Sequence, residues 1–389
     1  MQPVRVALSG LTSVVWKLRP QFSSTPDVET AEKSIPAGEE VPRMAAGPGV
    51  ALVGGILARL GVSCTARMEV AVDPPGALLR RIAEQVGPAL HPVWRPAPDG
   101  QTTLLSVSSW KDGDCIYPSP LSASDFCFDD LPLPEAANRV VKIWCHPAQG
   151  LGGSKAREEA FAKRMSAASD RGASQILLLG KPLVERDCGE PWQAWLRPLL
   201  DHTNVLCAQA GHLLETLDAP AAQRLSEAGR LKDLTSWLTG RILHQMSGYL
   251  LECGAGIVLI GLGDHGVYLR SNPDSSRVAF VRKFAPDDHV AAHLANWTER
   301  DMLIPPFEAE IANRYSAPDA MCAGFVAAFL RGLSPGDAIR MAAAVEAFAA
   351  ETEDPIGSVE AWDVVQARVE GGWAQGHCRI DLSGWSEDS

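Results

Sequence analysis

The chain has 389 residues, of which 46% are hydrophobic, 21% charged and 6% aromatic; this balance can bury a large core and excludes an intrinsically disordered class. A net charge of -12 argues against nucleic acid as the main partner, since phosphate-backbone binding rests on Lys and Arg. It leaves room for a small anion held locally by backbone amides. No run of about 18 apolar residues marks a membrane span, and MQPVRVALSG lacks the long apolar core and cleavage site of a signal peptide. Nine cysteines, scattered without a CxxC pair, point away from disulfides and structural zinc and toward a reducing cytoplasm.

Along the chain, residues 4–8, 140–145, 175–179, 204–208 and 257–260 run continuously apolar and are predicted as buried strands. Helical patterns occupy residues 50–60, 76–86, 155–168, 192–200 and 231–251 between them. This alternation predicts an α/β fold with a mainly parallel sheet covered on both faces. Two segments break the rhythm. Residues 18–46, rich in Pro, Ser and Glu, read as a loop or insertion, and residues 102–118 read as a hairpin turning at Lys111-Asp112-Gly113-Asp114. Such a ribbon serves either as a lid or as plain surface. The tail after Gly371 is expected to be loosely attached.

The last third carries most of the information. Residues 256–260 and 267–270 form strands around the turn Gly263-Asp264-His265-Gly266. Two Ala-rich helices follow, at about 317–332 and 335–351, joined by Gly332-Leu333-Ser334-Pro335, with Ser334 as cap and Pro335 in the first helical position. His289 and His293 have the spacing of a helical metal pair, but no third ligand accompanies them and a surface insertion is the plainer reading.

This C-terminal block resembles the PfkB, or ribokinase-like, family of carbohydrate kinases. Ser316-Ala317-Pro318-Asp319 stands where that family has a Gly-Ala-Gly-Asp turn, and Ala323-Gly324-Phe325 and Gly332-Leu333-Ser334-Pro335 match the helix and connection that follow. Residues 47–61 resemble the family's Gly-Gly-x-x-x-Asn sugar-binding helix. The resemblance implies one three-layer α/β domain over residues 1–389, with a small β lid from segments near 11–46 and 95–125. It implies ATP, with Mg2+, as phosphoryl donor, and a hydroxyl of a sugar-like molecule as acceptor. Asp319 would be the catalytic base. Ser316, Ala317 and Pro318 would cradle the anion, Gly263 and Gly266 would wall the nucleotide, and Gly47, Gly49 and Leu52 would lie along the substrate. A homodimer through the lid is a further implied partner.

Several positions depart from the family pattern. Both cradle glycines are replaced, and Pro318 has no N–H to donate. Gln209-Ala210-Gly211-His212 stands for Asn-x-x-Glu, a His where the family holds an acid beside magnesium. No acid lies near Val15, where the family's first strand ends in a sugar-binding Asp, and Leu52 occupies the place of the sugar-binding Asn. The alternative function is therefore a non-catalytic relative that binds a ligand or partner. On local grounds Ser316-x-x-Asp319 also fits a capping box.

Overall fold

The uninterrupted apolar runs become the middle of a nine-stranded sheet. The computed structural model describes residues 4–18, 43–97, 100–110, 113–118, 139–147, 154–181, 189–285 and 290–382. The sheet order is β13 (Asp301–Ile304), β12 (Val267–Ser271), β11 (Ile257–Gly261), β10 (Val205–Gln209), β9 (Ser174–Leu179), β8 (Val140–Cys145), β1 (Arg5–Gly10), β4 (Cys64–Val70) and β5 (Leu90–Pro96). Neighbours are parallel except that β12 runs antiparallel to both β11 and β13. β8, β9 and β11 are buried at every residue, as strands covered on both faces must be.

Twelve helices accompany the strands among the described residues: α1 (Val50–Arg59), α2 (Pro74–Val86), α3 (Lys155–Asp170), α4 (Trp192–Leu200), α5 (Ala210–Leu217), α6 (Ala219–Glu227), α7 (Gly240–Glu252), α8 (Ser275–Val278), α9 (Val290–Trp297), α10 (Ala317–Leu330), α11 (Pro335–Ala350) and α12 (Trp362–Glu370). Adjacent residues of β8 show the layering. Trp144 packs edge-on against Phe161 of α3 at 5.1 Å, whereas Cys145 lies near Cys322 of α10. Because successive strand residues face opposite ways, α3 and α10 cover opposite faces.

The hairpin forms as the Asp-Gly signal predicts: β6 (Thr103–Trp110) pairs antiparallel with β7 (Gly113–Pro118), with Trp110 opposite Gly113. Lys111 and Asp112 lie outside the described residues. Both strands belong to a separate four-stranded sheet, ordered β3 (Arg43–Ala46), β2 (Ser13–Leu18), β6, β7.

Some elements differ from expectation. The helix expected over 231–251 begins only at Gly240, because Thr239 Oγ1 accepts the amide of Ile242 and ends the preceding irregular stretch. β4 carries Arg67 and Glu69 within a buried strand, and their 3.1 Å ion pair neutralises both charges. That polar content hides the strand from an apolar-run test. His293 is buried beside Trp297 and not on a surface insertion, while His289 lies outside the described residues. No helix among the described residues is long and apolar enough to cross a membrane.

The segment after Gly371 is tied in as far as residue 382, and residues 383–389 lie outside the described part. Trp373 packs on Phe307 at 4.7 Å and on Phe348 at 5.0 Å, and Asp381 O accepts the Gly240 amide at 2.7 Å. The Arg368 guanidinium lies 3.5 Å over the Trp373 ring and donates two hydrogen bonds to Glu351. Arg368→Ala should therefore lower unfolding free energy by roughly 1–2 kcal/mol, by loss of stacking and an ion pair. Urea unfolding checks this; an unchanged midpoint would show that the clasp adds nothing.

Candidate functional site

Four backbone segments from distant parts of the chain meet at the carboxyl ends of β1 and β8. Leu11, just past β1, donates its amide to Cys145 O at 3.0 Å, and its own carbonyl accepts the Val50 amide at 2.7 Å. This ties the end of β1 to the end of β8 and to the start of α1. Gly49, the residue before α1, has φ 114 and ψ -148, a region open almost only to glycine. Its Cβ would stand 2.0 Å from Leu11 O, so the close approach also requires glycine.

Into this junction comes the first turn of α10. Asp319 is 0% exposed, and its Oδ1 accepts the Gly49 amide at 2.6 Å. His146, immediately after β8, places Nε2 3.0 and 3.2 Å from the two carboxylate oxygens. Asp319 thus sits at two helix N-termini at once, where the positive ends of the dipoles favour a negative charge. The turn is not a capping box. Ser316 Oγ donates to Asn313 Oδ1 at 2.6 Å, and the Asp319 carboxylate is engaged across the junction with Gly49 and His146. The Ala317 amide goes to Arg314 O, and Pro318 has none, so this turn presents fewer amides than a glycine turn would.

The other residues singled out in the sequence lie around this centre. Gly47 donates its amide to Ser13 O at 2.9 Å and holds the second sheet against the start of α1. Leu52 is fully buried in the apolar core. Gly263 (φ 56) and Gly266 (φ 104) shape the turn between β11 and β12. A Cβ on Gly266 would meet Ile304 O at 2.0 Å, while nothing lies within 4 Å of one on Gly263, so that side of the turn is open. Arg314, just before α10, is ion-paired with Asp264 of this turn.

Two groups near the start of α5 have altered acidities. Half-buried His212 is pushed down to about 3, by burial first and then by His146 and Lys181, so its ring is neutral at physiological pH. Glu346 of α11 is pushed up to about 8 by burial and by Asp264, against a smaller opposing effect of Gln209. Its folded-state value lies above its unfolded one, so folding favours the protonated form and stability falls as pH rises from about 4.5 through 8. Glu346→Gln should remove that loss, raising stability by roughly 1–3 kcal/mol at pH 9 and little at pH 5. Urea unfolding at the two pH values checks it; an equal effect at both would refute it.

Sequence reasoning missed His146. The available signal was a lone His directly after a buried strand, at the end of the sheet where α/β folds bind ligands. A separate cavity of about 450 Å³, lined by Arg80, Glu84 and Trp94 among others, lies against β5 and α2 and shares no residue with this junction.

No family model matches the sequence, and no curated protein sequence does either. Solved structures do. The aminoimidazole riboside kinase of Salmonella enterica, complexed with aminoimidazole riboside and an ATP analog, matches with TM-score 0.60 and 16% identity over 93% of this chain and 99% of that one. Arabidopsis thaliana ribokinase, complexed with ribose and ATP, matches with TM-score 0.60 and 16% identity, covering 94% and 98%. Fructokinase from Vibrio cholerae, with fructose, ADP and calcium bound, gives TM-score 0.59 and 15% identity, covering 94% and 98%. Over nearly its whole length, then, the chain has the three-layer α/β fold of the ribokinase-like carbohydrate kinases.

Proposed function

We propose that this protein transfers the γ-phosphoryl group of ATP to a hydroxyl of a sugar or sugar-like small molecule. The observation that carries the reading is the junction of Gly49 and Asp319, 270 residues apart in sequence, which sets a buried carboxylate at the first turns of α1 and α10. Phosphoryl transfer requires a centre that receives the acceptor's proton and fixed positive dipoles where phosphate charge develops. The centre built on Asp319 supplies the first, and the two helix N-termini supply the second. The open side of the Gly263 turn gives the nucleotide a backbone surface to lie against.

The residues fit ATP better than they fit a protein-held magnesium ion. His212 stands where an acid would serve the metal, and its neutral ring is a poor magnesium ligand. No step of the reaction is therefore assigned to a metal on this chain.

Calorimetry with ATP and ADP, with and without Mg2+, followed by a transfer assay on D-ribose, D-fructose and aminoimidazole riboside, tests the reading. Saturable ATP binding and a phosphorylated product are expected. Absence of binding at high nucleotide concentration would overturn it.

A further inference from the structure

The first turn of α10 is short of donors for a polyanion: Pro318 has no amide, and the Ala317 amide is taken by Arg314 O at 3.3 Å. We propose that the Arg314 guanidinium makes up this loss by binding the phosphate chain of the nucleotide, exchanging the Asp264 carboxylate for phosphate oxygens as ATP enters; this rests on the phosphotransferase reading above.

The inference begins with where the side chain reaches. Arg314 lies just before α10, and its guanidinium is ion-paired with Asp264 of the turn Gly263–Gly266. The pair therefore spans the gap between two elements that hold opposite ends of the nucleotide in that reading. The turn is the surface beneath it, and the first turn of α10, with Asp319, is where the γ-phosphoryl group is transferred. The phosphates run between those ends, so a cation reaching from one element to the other lies along their path. In a chain of net charge -12, a polyanion needs such a local cation.

The pair is open to a ligand. The Arg314 side chain is 40% exposed and that of Asp264 49%, and nothing lies within 4 Å of a Cβ built on neighbouring Gly263. The backbone beneath Arg314, by contrast, is fixed. Buried Asn313 donates to Ala349 O at 2.8 Å and to Thr352 O at 2.6 Å, and buried Ser316 donates to Asn313 Oδ1 at 2.6 Å. A half-exposed cationic arm on a rigid base is what a binding residue requires.

The chemistry suits phosphate. A guanidinium is always charged, and its planar fork of N–H donors matches phosphate oxygens two at a time. A half-exposed pair with one carboxylate is weak, whereas a phosphate chain offers several charged oxygens at once. Two other carboxyl groups bear on the balance. Asp264 would lie close to the entering phosphates as a like charge, and Glu346, held mainly protonated at neutral pH by burial and by Asp264, adds little charge of its own.

These observations separate two roles. An ion pair that merely fastened the turn to α10 would respond alike to loss of either partner. A phosphate-binding arginine responds with opposite signs, because removing Asp264 leaves the guanidinium to the ligand and takes a like charge from its path.

Calorimetry of ATP binding to the full chain at about pH 6.5, below the Glu346 value of about 8, tests this. Arg314→Gln should weaken ATP binding roughly 10–100-fold, and Asp264→Asn should leave it equal or tighter. Both positions are exposed, so circular dichroism and urea unfolding should show both variants folded. In transfer to D-ribose, D-fructose or aminoimidazole riboside, Arg314→Gln should raise the KM for ATP and leave the KM for the acceptor nearly unchanged. Undiminished ATP affinity in Arg314→Gln, or a loss in Asp264→Asn matching that in Arg314→Gln, would overturn the proposal while the kinase reading stands on the parent's own ATP binding. A parent that binds no ATP and phosphorylates no acceptor would remove both readings together.

Discussion

Replacing Asp319 by asparagine is expected to cut phosphoryl transfer roughly 10²–10⁴-fold while leaving the fold intact. Asparagine keeps the shape, and its carbonyl can still accept the Gly49 amide now bonded at 2.6 Å. What it loses is the negative charge facing His146 Nε2 at 3.0 Å and one oxygen able to take a proton. The measurement is steady-state turnover beside urea unfolding of parent and variant. Asp319→Ala separates the effects further, because it strands the Gly49 amide in a buried junction and should cost roughly 1–3 kcal/mol of stability as well. Full turnover in Asp319→Asn would remove Asp319 from the chemistry.

The second large effect is expected at Gly49, and it is on stability. Gly49→Ala would place a Cβ 2.0 Å from the Leu11 carbonyl oxygen, on a backbone with φ 114 that side chains rarely adopt. The contact is with backbone, so relief requires the end of β1 or the start of α1 to move. A loss of roughly 2–4 kcal/mol is expected from urea unfolding, with loss of transfer activity in whatever remains folded. A variant as stable as the parent would mean that the junction is loose, and the Asp319 geometry would lose its support.

Much of this architecture was legible from residue patterns. β8, β9, β10 and β11 were visible because strands covered on both faces are mostly apolar, in short runs without helical periodicity. The connection between α10 and α11 was legible in detail: Ser334 accepts the Asp337 amide and Pro335 opens the helix. β5 was not legible, since Pro92 and Pro96 remove two amides, which an edge strand tolerates. The start of α7 was misplaced by nine residues, 231–239, whose Leu and Trp positions mimic a helix that the Thr239 cap begins only at Gly240. At the site, Asp319 and Gly49 stood out through motif resemblance. His146 offered only its place directly after a buried strand, because its partner lies 173 residues away and no local spacing records the contact.

The same long-range junction bears on how the molecule is made. The Gly49–Asp319 bond closes a loop of 270 residues, and β1 pairs with β8, more than a hundred residues later, as well as with β4. As the chain leaves the ribosome, α1 emerges early, yet the helix that covers it, α10, arrives only after all nine strands of the main sheet have been synthesised. Until then the side of α1 that α10 covers has no permanent cover, although β4 and α2 already pack against the rest of this almost wholly apolar helix. Nascent chains therefore spend most of their synthesis with that face open to association, and chaperone engagement is expected to concentrate on it. Assembly of the site is among the last events of folding, so a chain that holds the Asp319 contact has already passed every earlier checkpoint.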